Sequence, residues 1–290
     1  MIPVFLTRIK THDGILLEGI SVLPKRSRGT ALIWLHGLSS RFSSGQTLIQ
    51  ELSRTCGQNH IAYFKYNTRG HDIVNRDTSK KKGLQGAGFE KFEECIFDIQ
   101  AMIRAAKKLG YRNIILAGHS TGANKAVYYL AKTNDKSVKG VVLVAPVSDI
   151  PAKQLEMGKM ALRKVIRIAR QYKKHNLKLM PPQYGIITPT RFLSLYEPGH
   201  AEDTFPYYDL NARWTSLEKI RIPIIAIFGT RDQHLDRPLK QIIEQFRKNA
   251  ASTKSFTSIT IKGADHSFQR KEKELTDELL KWIQRAVVYR

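Results

Sequence analysis

The 290-residue chain carries 48 lysines and arginines against 25 acidic residues, a formal charge of +23, with 42% hydrophobic and 25% charged residues, values that suit one large folded core rather than a disordered chain. No apolar run approaches the roughly 18 residues of a membrane span, no signal-type apolar region opens the sequence, and two cysteines, Cys56 and Cys95, are too few for a disulfide framework, so a cytoplasmic protein is expected. The basic excess favours anionic ligands or an anionic membrane surface, or is merely solvated lysine; without nucleic-acid motifs or interleaved aromatics, nucleic acid is not an expected partner.

Residues 4–10 and 16–22 alternate as strands across Thr11-His12-Asp13-Gly14, whose Asp-Gly favours a tight hairpin, and they form an antiparallel edge. A buried strand over 31–36 ends in His36-Gly37 and opens a loop of small residues through Gly45. A helix over 46–56 and a strand over 61–66 follow. Residues 75–88, with Lys80-Lys81-Lys82 and three glycines, read as a surface loop. Phe89, Phe92, Ile96, Ile99, Ile103 and Ala106 recur at spacings of three and four, one apolar face of a helix stopped by Gly110.

The apolar run Asn113-Ile114-Ile115-Leu116 leads into Gly118-His119-Ser120-Thr121-Gly122, and residues 123–130 read as a helix. Strand, sharp turn and helix are the setting in which a G-x-S-x-G serine is raised above a sheet, with glycines where a Cβ would clash. A serine hydroxyl needs a base and a group to orient that base. Both lie downstream: Asp232 follows the buried run 222–229, and His266 follows a strand over 257–261. The order Ser, Asp, His and the placement of each after a strand match α/β-hydrolases. Ser120 is the candidate nucleophile, His266 the base and Asp232 the acid; Asp265, Asp236 and Asp149 are weaker candidates for the acid. The backbone N–H groups of Leu38 and Thr121 are the expected oxyanion donors. His36 should brace the oxyanion loop, and His119 should pack away from the nucleophile. The nine histidines are dispersed, with no H-E-x-x-H or C-x-x-C pattern, so no metal or cofactor is expected.

Residues 138–144 form a further strand. Strand signals then vanish from residue 147 to about 214, an insertion far longer than an ordinary connection. Leu155, Leu162, Val165, Ile166, Ala169 and Tyr172 fall at helical spacing, with Lys159, Arg163, Arg167, Arg170 and Lys174 opposite. That pattern predicts a basic amphipathic helix, either a lid over Ser120 or a membrane-surface helix. Residues 179–208 are rich in proline and tyrosine and too aperiodic to assign. Pro238 opens a helix to about residue 248, and Leu275, Leu279, Ile283, Ala286 and Val287 mark a last one.

The stretches Phe64-Lys65-Tyr66-Asn67-Thr68-Arg69-Gly70-His71-Asp72 and Gly118-His119-Ser120-Thr121-Gly122-Ala123-Asn124-Lys125 resemble the small α/β-hydrolase family that includes fungal siderophore esterases. The resemblance implies a mostly parallel eight-stranded sheet flanked by helices, with a lid insertion after the sixth strand. Residues 1–146 and 215–290 would form the core and 147–214 the lid. It also implies an ester hydrolase using Ser120, Asp232 and His266 on a small-molecule ester; the basic excess suits an anionic ester, and the methionines and tyrosines of the insertion an aromatic one. The same residues would serve an amide hydrolase or acyltransferase, and a non-catalytic binding module on this fold is the third reading.

Overall fold

In the computed structural model, which describes residues 3–26, 29–76, 78–79 and 83–288, eight strands form one sheet: β1 (Phe5–Lys10), β2 (Leu16–Val22), β3 (Thr30–Leu35), β4 (Ala62–Tyr66), β5 (Asn113–His119), β6 (Val138–Val144), β7 (Ile224–Gly229) and β8 (Phe256–Ile261). Their order is β1-β2-β4-β3-β5-β6-β7-β8. The β1–β2 hairpin is antiparallel and joins β4 antiparallel; from β4 to β8 every pair is parallel. Gly14 supplies the positive φ (99°) of the hairpin turn. β3 and β7 are buried at every position because helices cover both faces, which is why they read as unbroken apolar runs. This is the α/β-hydrolase arrangement expected.

One face packs against α2 (Cys95–Lys108), α3 (Thr121–Thr133) and α7 (Leu239–Asn249), with Phe64, Ile99, Val127 and Phe246 among the contacts. The other packs against α1 (Gln46–Gln58) and α8 (Glu272–Ile283), around Trp34, Leu52 and Leu279. Phe89 lies before α2, in a turn where its N–H and that of Glu90 both donate to Gly86 O. A two-residue antiparallel ladder, Asn75–Arg76 with Leu84–Gln85, flanks the basic run; Lys80-Lys81-Lys82 itself lies outside the described residues. No helix among the described residues is long and apolar enough to cross a membrane.

Between β6 and β7 lie α4 (Asp149–Met157), α5 (Lys159–Lys174) and α6 (Pro189–Tyr196). The single helix expected around 155–172 is broken at Gly158, whose φ of 88° and ψ of 143° no helix continues. Leu155 therefore belongs to α4 and is 55% exposed, while Leu162, Val165 and Ala169 of α5 bury against Met180, Phe192 and Leu193 of the insertion's own cluster. Helix α6 went unread in the sequence, although Thr188-Pro189 signals its start: Thr188 Oγ1 accepts from Arg191 N–H at 3.1 Å, and proline occupies the first helical position. Farther along, Phe205 and Trp214 pack against Phe246 in the main core.

A buried ion network pins the insertion to the core. Lys125 of α3 donates to Glu90 at 2.8 Å, Arg191 of α6 donates to Glu90 at 2.9 Å, and Arg191 also pairs with Glu202. Burial opposes ionisation of Glu90, but Lys125 and Arg191 hold its carboxyl below the usual range.

Candidate active site

β5 runs directly into the turn that carries Ser120, whose φ of 54° and ψ of −127° fall outside the ordinary regions for a side-chain-bearing residue. Such strain costs about 1–3 kcal/mol and persists only when the surroundings impose it. Here Ser120 N–H is tied to Val144 O at 2.9 Å on the neighbouring strand. A Cβ on Gly118 would run into the Gly122 carbonyl, and one on Gly122 into the Leu35 carbonyl. Ser120 is thus displayed at the sheet's C-terminal edge, with the 13-residue α3 starting behind it. Thr121 N–H, first in that helix, donates to no protein acceptor among the described residues and lies at the positive end of the helix dipole.

The loops after β7 and β8 bring Asp232 and His266 together. They are laced by Arg231 N–H to Ala264 O at 2.9 Å, Gly263 N–H to Thr230 Oγ1 at 2.8 Å and His266 N–H to Gln233 Oε1 at 3.2 Å. His266 Nδ1 lies 2.8 Å from Asp232 Oδ2. A carboxylate only accepts, so Nδ1 carries a proton, and in the neutral ring Nε2 is then the acceptor. The other carboxylate oxygen is taken by His234 N–H at 2.9 Å. The competing acids are engaged elsewhere: Asp265 Oδ1 accepts from Gln269 N–H, and Asp236 pairs with Arg237.

His119 takes on a role beyond packing. Its Nε2–H donates to the His266 carbonyl at 2.8 Å, and the two rings lie 5.0 Å apart, so it supports the His266 loop. Burial first, then the nearby His266, pulls the His119 pKa down to about 4. The His234 ring meets the His266 ring edge-on, with centroids 4.5 Å apart. Both contacts join segments far apart in sequence, which no local pattern announces.

The loop after β3, where an oxyanion donor is expected, is held by His36. Its Nε2 accepts Thr68 N–H at 2.9 Å, which leaves Nδ1–H to donate to Gly37 O at 2.9 Å. Burial, with the charge of Lys125 next, depresses the His36 pKa to about 3, so the ring stays neutral. Because a trans peptide sets N–H opposite C=O, anchoring Gly37 O turns Leu38 N–H the other way. Leu38 N–H makes no hydrogen bond within the protein among the described residues. Gly37 packs against Ser120 so closely that a Cβ there would lie 3.1 Å from Ser120 Cβ.

Ser120, His266, Leu38 and Gly37 line one cavity of about 670 Å³. No hydrogen bond joins Ser120 Oγ to the His266 ring among the described residues. The opposite wall is α4 with Tyr196 of α6, contributing Asp149, Lys153, Leu155 and Glu156. Asp149, named in the sequence only as a weak candidate acid, enters the cavity wall; burial and the charge of Glu202 push its pKa up to about 8. Among the described residues no group of three or more His, Cys, Asp or Glu side chains is arranged to hold a metal ion.

The family described as "Protein of unknown function (DUF1749)" matches residues 83–288. No curated protein matches the sequence. Among solved structures, the chain is similar to the siderophore hydrolase EstB from Aspergillus fumigatus, at 17% identity and a TM-score of 0.72 over 99% of this chain and 98% of that one. It is also similar to Est1E from Butyrivibrio proteoclasticus, solved with ferulic acid, at 18% identity and a TM-score of 0.66 over 97% and 99%. A Pyrococcus furiosus esterase matches at 15% identity and 0.64 over 98% and 92%. At such identities the likeness establishes the α/β-hydrolase fold.

Proposed function

The chain belongs to the DUF1749 family, whose description assigns no activity, and we propose that it is a serine carboxylic ester hydrolase. Ser120 Oγ attacks an ester carbonyl while His266 Nε2 takes its proton. Asp232 keeps Nδ1 protonated, orients the ring and stabilises the imidazolium. The tetrahedral oxyanion accepts from Leu38 N–H and Thr121 N–H, each donor worth about 3 kcal/mol in the transition state. His266 then returns its proton to the departing alkoxide, and a water that it deprotonates cleaves the acyl-enzyme. The Ser120–His266 hydrogen bond tightens as the ester settles.

One observation carries this reading: the 2.8 Å bond from His266 Nδ1–H to Asp232 makes Nε2 the acceptor of the neutral ring, and His266 and Ser120 line the same cavity. The neutral, doubly bonded His36 supports it by presetting the Leu38 donor. In this reading the α4–Tyr196 wall acts as the lid and selects the acyl group.

The test is labelling by a fluorophosphonate probe together with p-nitrophenyl ester turnover. Wild type should be labelled on the peptide containing Ser120, and Ser120→Ala should lose both labelling and at least a thousandfold in rate while remaining folded by circular dichroism. Undiminished turnover by Ser120→Ala would end the proposal. In the same panel, Leu155→Ala should reorder short against long acyl chains; an unchanged ranking would remove α4 from the acyl site.

A further inference from the structure

A second cavity, of about 450 Å³, shares Gly37, Ser40, His119 and Ser267 with the one lined by Ser120, so the two have a wall in common at the loop after β3. Its distinguishing feature is Lys65 on β4, only 5% exposed. The Lys65 ammonium donates to Ser44 O at 2.5 Å and has no ion pair among the described residues. An ammonium offers three donors, so two remain uncommitted. Burial pulls its pKa to about 8, which leaves it charged at neutral pH. An unneutralised buried cation is costly, and folded proteins rarely keep one without use.

The rest of the chamber adds to the positive field. The first turn of α1 faces it through Gln46, Thr47 and Leu48, whose backbone N–H groups meet no acceptor within the protein among the described residues. His36 and His119, the other titratable groups on its wall besides Glu272, are neutral rings with pKa values of about 3 and 4. Glu272, at the start of α8, contributes the chamber's one carboxylate among the described residues and makes no ion pair with Lys65.

We propose that this chamber is an anion subsite in which Lys65 and the first-turn amides of α1 hold a carboxylate carried by the ester substrate, while the reacting carbonyl lies at Ser120. The proposal rests on the hydrolase reading and adds the substrate class: esters with a free carboxylate on a short arm. A free anion such as inorganic phosphate has the same recognition chemistry, and the experiment separates the two sources.

The experiment compares the p-nitrophenyl monoester of glutaric acid with its neutral methyl ester counterpart, p-nitrophenyl methyl glutarate. At pH 7 and low salt, wild type should show a kcat/KM at least tenfold higher for the charged ester. The preference should shrink with salt and vanish as pH rises through the Lys65 titration. Taking the ratio of the two esters removes any pH dependence that they share. Lys65→Met should abolish the preference and leave the neutral ester within threefold of wild type. Phosphate should inhibit the charged ester competitively and spare the neutral one. Equal or faster turnover of the neutral ester overturns the proposal. So does phosphate that alters neutral-ester turnover without any preference for the charged ester, which would mark a site for free anions.

The wild-type comparison stands even if Lys65→Met does not fold. If neither ester is hydrolysed and Ser120 is not labelled, the hydrolase reading fails instead. The chamber is then judged by calorimetric titration of the wild-type protein with glutarate: binding weakened by salt supports an anion site, and no binding overturns it.

Discussion

Among the described residues each face of the sheet buries one lysine, and the two are treated differently. On the α2–α3 face, Lys125 is 1% exposed and is met by Glu90 at 2.8 Å, inside a network closed by Arg191 and Glu202. On the α1–α8 face, Lys65 is nearly as deep and is met by a single backbone carbonyl. The first charge is consumed within the protein, where it fastens the insertion to α3. The second is left over, beside a cavity that shares wall residues with the one lined by Ser120. A neutralised buried charge reads as architecture, and one without a counter-charge as a place kept for something else to bind.

The largest effect expected from breaking this contrast comes from Glu90→Gln, which leaves Lys125 and Arg191 buried without one of their carboxylates. It should cost about 3–5 kcal/mol in urea unfolding. A loss below about 1 kcal/mol would mean that the network is not holding the insertion.

His36 lies within the field of both lysines, and its titration gives the next effect. Its folded pKa of about 3 is below the unfolded value of 6.5, so the unfolded chain takes up a proton that the folded ring refuses. Stability is therefore fully present above pH 6.5 and falls as pH drops toward 3. By pH 5 the loss from this residue should be about 2 kcal/mol. Urea unfolding of His36→Gln should show a correspondingly shallower pH slope, and identical slopes would contradict a neutral His36.

The smallest effect has the opposite sign. Lys65→Met should stabilise the protein by about 1–2 kcal/mol at pH 7, because the folded chain no longer buries an unpaired ammonium. With a folded pKa of about 8 against 10.5 unfolded, wild type should also gain stability as pH rises between those values, and the variant should not. A destabilised variant would place Lys65 with Lys125, as a residue kept for structure.

Strands β3 to β7 were legible in the sequence because burial on both faces writes a parallel strand as an apolar run, the β1–β2 hairpin by its alternation, and positions 120, 232 and 266 because each follows a strand. The Gly158 break was also written, but a glycine between two apolar-periodic stretches is outvoted when 155–172 is read as one helix. Helix α6 was hidden because its apolar side faces α5 rather than the sheet, over too few residues for a period to emerge. The roles of His119 and Lys65 were illegible for another reason. Each depends on partners across the fold, His266 O in one case and the lack of an acid in the other, and residue type carries no trace of either.

The strand β8 closes the sheet on one side with a single neighbour, β7, and five of its six residues are not fully buried. His266 hangs from the loop that follows it. Edge strands open at lower free energy than a domain's centre, so in the hydrolase reading the proposed base is held by a part of the fold that exchanges its amides sooner than the central strands do. On warming, turnover would fade while the central strands remain paired, and activity would return on cooling for as long as β3, β5 and β6 had stayed folded. The working lifetime of such a molecule is set at its margin, by one strand, and not by the stability of its core.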